Sequence, residues 1–182
     1  MLSYYTLGKY RFMNRPEKNE YDPYYEIYVS LVGDGDIVDT LERQASAVHE
    51  FFAAIPDEKG TYAYAEGKWS IKELLGHIID GERMFMYRIF RISRGDKTPI
   101  EGFEQDGYIE NARSNSRRFA DLLDEFAALR RANVIAYRNF SDDDWGRTGT
   151  ANELEITPRA MVYIMAGHVT HHLNILKERY LA

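Results

Sequence analysis

Five histidines and no cysteine set the chemistry open to this 182-residue chain. The histidines are His49, His77, His168, His171 and His172. Without a thiol there is no disulfide, thiolate metal site, iron–sulfur cluster or cysteine nucleophile, so imidazole and carboxylate remain. His168 and His172 stand four residues apart. With Met161, Ile164, Met165, Ile175 and Leu176 they fall in one arc of about 120° on a helix. Two imidazoles in an apolar stripe at that spacing can present ring nitrogens to one point, which is how helices supply half of a zinc site. His171 falls about 60° to one side, where it reaches solvent or a neighbouring helix.

A third ligand is needed, and His77 is the candidate, with Gly81 one turn on leaving room beside it. Asp80 offers either a fourth ligand or an acceptor that orients a ring nitrogen. Glu82 lies about 140° from His77 and is poorly placed to join it. Arg88, three turns along on the His77 side, suits an anionic substrate; a surface ion pair is the plainer reading of it. His49 reads as an ordinary helix-face residue. The residue pattern leaves two accounts of the buried histidines open: a divalent-metal site, or a polar seam bonded to backbone carbonyls.

The elements that must position these residues are helices. Apolar residues recur at three- and four-residue spacing and strict alternation is almost absent. Asp36 caps a first long helix over Ile37 to Ile55, followed by Pro56. Ser70 and Glu73 form a capping box opening a second helix, Ile71 to about Arg94, with Trp69 placed to staple onto Leu74. A third helix is expected from about Tyr108 to Phe140, long enough to bend or fray. Asp142 to Trp145 reads as a turn, and Arg147 to Ile156 as a small hairpin or a plain loop. Thr157 and Pro158 then open a last helix running to about Tyr180. The fold class is therefore all-α, a four-helix bundle, with an irregular amino-terminal arm over Met1 to Asp22.

Length and composition fit one globular domain over 1–182, with neither a repeat nor a Pro/Gly/Ser-rich linker to divide it. The net charge of −6, with basic residues interspersed among acidic ones, argues against a nucleic-acid surface. No apolar run approaches the ~20 residues that span a bilayer and the amino terminus lacks a signal pattern, so a cytoplasmic protein without membrane partners is expected.

Two segments carry a further signal: Trp69-Ser70-Ile71 with Gly76-His77-Ile78-Ile79-Asp80-Gly81-Glu82-Arg83, and Gly167-His168-Val169-Thr170-His171-His172-Leu173-Asn174-Ile175-Leu176. Together they resemble the DinB family of metalloproteins. The resemblance implies a YfiT-like four-helix bundle with a divalent ion held by His77, His168 and His172. It also implies activities found in that family, thiol-dependent transfer and isomerisation with a low-molecular-weight thiol, although nothing in this sequence marks a thiol pocket.

Three neutral imidazoles leave a divalent ion its full charge and an open position. Such an ion lowers the pKa of a bound water or stabilises a bound thiolate. Zinc and nickel both suit imidazole. Two readings are open. One is a metal-dependent enzyme, a thiol-dependent transferase or hydrolase, acting on a small-molecule substrate. The other is a non-catalytic, metal-stabilised binding or interaction module, forming a homodimer through an exposed helix face.

Overall fold

Residues 13–181 are described by a computed structural model. In chain order the elements are α1 (Glu26–Val29), α2 (Ile37–Ala53), α3 (Ile71–Ser93), α4 (Gln105–Ala112), α5 (Phe119–Tyr137), α6 (Asp142–Gly146), β1 (Gly149–Ala151), β2 (Leu154–Ile156) and α7 (Pro158–Ile175). The long helices α2, α3, α5 and α7 form the bundle. α2 packs on α5 and α7, and α3 also packs on α5 and α7. Hence α2 and α3 stand at opposite corners, and the connections α2–α3 and α5–α7 each cross a diagonal. Among the described residues no helix is long and apolar enough to cross a membrane.

The helix starts are set by side chains that satisfy the first free N–H groups. Asp36 accepts from Val38 and Asp39. Ser70 and Glu73 form the expected capping box, and Thr157 accepts from Ala160 ahead of α7, where Pro158 occupies the first turn.

The third helix departs from expectation. It is broken into α4 and α5 by Arg113, which takes a left-handed conformation, and by a 3-10 turn over Ser114–Ser116. Ser114 is buried there, and its hydroxyl comes within 2.2 Å of where a Cβ on Gly76 would stand. The break thus lets the chain lie tightly across α3. Asp142–Gly146 is a short helix and not a bare turn, because Ser141 and Asp144 build a capping box of their own. The segment before α7 is a hairpin with Gly149 opposite Ile156. Its two-residue turn, Asn152-Glu153, has positive φ at both positions, which matches the twist of the strands. The last helix reaches Tyr180 as expected, but it widens to π geometry over Leu176–Tyr180.

The part of the expected arm before Met13 lies outside the described residues. The stretch from Met13 to α1 is tied to the bundle: Arg15 donates to Val29 O and Val32 O. Buried Glu20 accepts from Arg159 and Thr157 at the start of α7. α1 then crosses α7 at Gly167, where a Cβ would stand 2.0 Å from Tyr28 O. Only glycine permits that approach.

The core falls into two apolar clusters. One gathers Leu41, Ile89, Val134 and Ala166, and the other Val48, Ile79, Phe126 and Val169. Between them along each helix lie polar residues. Glu82 of α3 accepts from Arg130 Nε and Nη2, both at 2.8 Å, and from Asn133 Nδ2 at 2.9 Å. Arg130 Nη1 donates to Leu41 O and to Gln44 Oε1 of α2. Gln44 Nε2 donates in turn to Ala166 O and Thr170 Oγ1 of α7. One hydrogen-bonded chain therefore joins all the long helices at mid-height. The side chains of the Arg130–Glu82 ion pair are 1% and 0% exposed.

Candidate metal centre

On another face of α3, about one and a half turns before Glu82, the histidines meet. α3 and α7 are neighbours, so His77 faces His168 and His172 across their contact. His168 Nε2 lies 3.0 Å from His77 Nε2 and 3.0 Å from His172 Nε2. The ligand atoms of these three residues all lie within 4.8 Å of one another. His77 and His168 are buried, at 4% and 7% exposed, and His172 is half-buried.

Burial drives all three toward the neutral form. Desolvation lowers His77 to about 4 and His172 to about 3. It holds His168 well below the ordinary value, and the neighbouring imidazoles add to the effect. At neutral pH each ring carries one N–H and one lone pair. The single in-plane lone pair of His168 Nε2 cannot serve two flanking nitrogens well, whereas one cation can accept all three lone pairs. Nitrogens sharing a cation at bond lengths of about 2.0–2.1 Å stand roughly 3.0–3.4 Å apart, so both 3.0 Å separations suit such an ion.

The surrounding residues fix the rings. Gly81 gives room to His168 more than to His77: a Cβ there would stand 3.3 Å from His168 Cε1. Phe85 and Tyr28 meet the His168 ring edge-on at 5.6 Å. Trp69, expected as a staple, has its ring 4.8 Å from that of His77. The π turn at the end of the last helix carries Tyr180, whose hydroxyl donates to Trp69 O at 2.7 Å. His172 Nδ1 is buried with no hydrogen-bond partner among the described residues.

The remaining residues singled out from sequence separate clearly. His171 is half-buried with its ring against Tyr28 and outside the group of three. Asp80 is not in that group either; it pairs with Arg83 at 3.8 Å. Glu82 and Glu73 are engaged elsewhere, the latter by Ser70 N–H and Asn115. His49 is exposed on α2.

Arg88 overturns its plainer reading, because it is only 7% exposed and pairs with no carboxylate among the described residues. It shares with His77 and His168 the lining of a cavity of about 320 Å³. Tyr25, Tyr28 and Phe103 complete much of the wall. The hairpin holds this wall in place: Ile100 N–H donates to Thr150 O at 2.9 Å and Asn152 N–H to Ile100 O at 2.8 Å. Sequence reasoning assigned no role to Tyr25, Tyr28 or Phe103, since aromatic residues in short irregular segments carry no period that tells a cavity wall from packing.

The sequence model of the DinB superfamily matches residues 40–176. No curated protein matches the sequence significantly. Among solved structures, YfiT from Bacillus subtilis, described as a probable metal-dependent hydrolase with an unusual four-helix bundle topology, superposes with a TM-score of 0.73 at 15% identity. The match covers 96% of this chain and 94% of that one. A mycothiol-dependent maleylpyruvate isomerase superposes with a TM-score of 0.64 at 15% identity, over 76% of this chain and 58% of the isomerase.

Proposed function

This chain belongs to the DinB superfamily, and on that basis we propose that it is a metal-dependent enzyme acting on a small molecule, with His77, His168 and His172 as the metal ligands. The observation that carries the reading is the convergence of three neutral imidazoles, two of which, His77 and His168, border a cavity. Among the described residues no further histidine and no carboxylate joins them, so a fourth position is left for substrate, as in catalytic and unlike structural sites. When bound there, a zinc or nickel ion supplies Lewis acidity that lowers the pKa of a water or thiol.

The protein residues favour a thiol-dependent transfer over hydrolysis. A hydrolase needs a general base beside the reacting water, and Asp80 is turned to Arg83. Glu104 lines the cavity, but it caps α4 by accepting from Asp106 N–H. A thiol cosubstrate brings its own ionisable proton, and the chain supplies no cysteine. Tyr28, whose hydroxyl burial keeps protonated, can donate a hydrogen bond to the bound molecule.

The test is elemental analysis of the full chain purified without an affinity tag, beside His77→Ala, His168→Ala, His172→Ala and His171→Ala. About one divalent ion per chain is expected, lost in the first three variants and kept in the last. Retention in all of the first three would overturn the ligand set. Turnover of an electrophile with a low-molecular-weight thiol, set against ester and amide hydrolysis, then separates the two reactions.

A further inference from the structure

Arg88 is a charged group that the fold buries with no ion-pair partner among the described residues. Its Nη2 donates to Glu101 O at 3.1 Å, and its guanidinium lies 6.0 Å from the centre of the Phe103 ring. Its Nε is buried and has no hydrogen-bond partner among the described residues. A guanidinium carries five N–H donors and stays charged in a protein. Leaving such a group desolvated and part-satisfied is costly, and burial does disfavour its charged form here. In the same protein Arg130, which is fully enclosed, has a carboxylate, a carbonyl and an amide oxygen arrayed around it. The difference is that Arg130 lies inside the bundle, whereas Arg88 borders the cavity that also reaches His77 and His168.

We propose that Arg88 is the substrate-recognition residue of this cavity and that the substrate is a small organic carboxylate, its carboxylate on Arg88 and its reacting end at the histidines. The proposal deepens, and rests on, the reading of the cavity as a small-molecule site. The planar fork of arginine fits a carboxylate with two parallel hydrogen bonds. Arg88 stands about three turns beyond His77, roughly 16 Å of helix rise. Side chains lean toward the helix amino terminus, and an arginine recovers about 6 Å of that distance. The ligand must therefore hold its charge roughly 10 Å from its reacting end. Between them the wall is aromatic, with Tyr25, Tyr28, Phe85 and Phe103, so the middle of the ligand is apolar or flat. Glu104 is the acid in this wall, but it caps α4; among the described residues it forms no ion pair with Arg88, which leaves the guanidinium available.

The experiment measures binding by calorimetry on the full chain, once as purified and once after chelation. The probes are benzoate, 3-phenylpropionate and 4-phenylbutyrate, each beside its uncharged primary amide. Wild type should bind at least one acid more tightly than its amide, with or without metal. Arg88→Met, which keeps an unbranched apolar stem and removes the guanidinium, should weaken the acid tenfold or more and leave the amide unchanged; Arg88→Lys should fall between. Arg88→Met should also melt no lower than wild type, because it removes an uncompensated buried charge. Equal weakening of acid and amide, a lower melting temperature in Arg88→Met, or no acid preference in wild type would each overturn the proposal. Acid preference in a protein that holds no metal would sink the metal reading and leave Arg88 in its role; metal without acid preference would do the reverse.

Discussion

Replacing Glu82 by Gln keeps the side-chain volume and removes one charge from the centre of the bundle. Arg130 then stays buried with its bidentate partner gone, while Asn133 Nδ2, which donates to Glu82 Oε1, faces an amide in place of a carboxylate. Both side chains of the ion pair are enclosed, at 1% and 0% exposure, so water cannot take over the lost bonds. Removing one partner of such a pair costs about 3–5 kcal/mol. Unfolding by urea, followed by circular dichroism, reads this directly. With a denaturant slope of about 2 kcal/mol per molar, the midpoint should fall by roughly 1.5–2.5 M at unchanged slope. Because this network fixes the rotation of α3, which carries His77 on another face, metal affinity should fall as well. The double variant Glu82→Leu with Arg130→Met should lie nearer wild type than Glu82→Gln does, since no charge is left unpaired. A midpoint shift below about 0.3 M for Glu82→Gln would refute the argument that the pair is desolvated and holds the helices in register.

Other outcomes concern the site itself. Zinc or nickel at a hundredfold excess over its dissociation constant should stabilise the chelated protein by about 2.7 kcal/mol, raising the melting temperature by roughly 5–11 °C, and the three histidine-to-alanine variants should not respond. In the metal-free protein the histidines make stability depend on pH. Unfolded rings protonate near 6.5, while folded His77 does so only at about 4 and His172 at about 3. Stability is thus complete above pH of about 6.5 and declines as pH falls toward about 4, by up to about 1.4 kcal/mol per unit for each ring; a flat profile between pH of about 7 and about 5 would contradict the burial argument. Gly167→Ala should cost more than about 2 kcal/mol, because the clash is with the backbone of α1 and has no flexible side chain to absorb it. Gly81→Ala presses on the His168 ring and should weaken metal binding with a smaller loss of melting temperature.

Three of the long helices, α2, α3 and α7, were legible because each begins with its own capping side chain, Asp36, Ser70 or Thr157, ahead of a run with helical periodicity. His168 and His172 were legible for a related reason: a polar pair on an otherwise apolar stripe stands out against its neighbours. The break between α4 and α5 was missed because it contains neither proline nor glycine. Its one sign was the cluster Ser114-Asn115-Ser116, the kind of run that favours turns. Glu82 drew notice only as a poor partner for His77 and Arg130 drew none, since sequence alone does not show that two charges far apart in the chain enclose each other. Arg88 was misjudged in the same way. Whether a charge is solvated depends on the connection carrying Glu101 and Phe103, and its path is set by the hairpin, itself undecided between strand and loop.

The chain has only two tryptophans, and they sit in different surroundings. Trp69 lies against His77, whereas Trp145 packs with Tyr137 and Phe140 in a separate apolar cluster. An ion drawing electron density from the His77 ring therefore alters the emission of one indole and spares the other. With Trp145→Phe removing the silent background, fluorescence becomes a built-in gauge of site occupancy, readable in real time without any label and before any substrate is known.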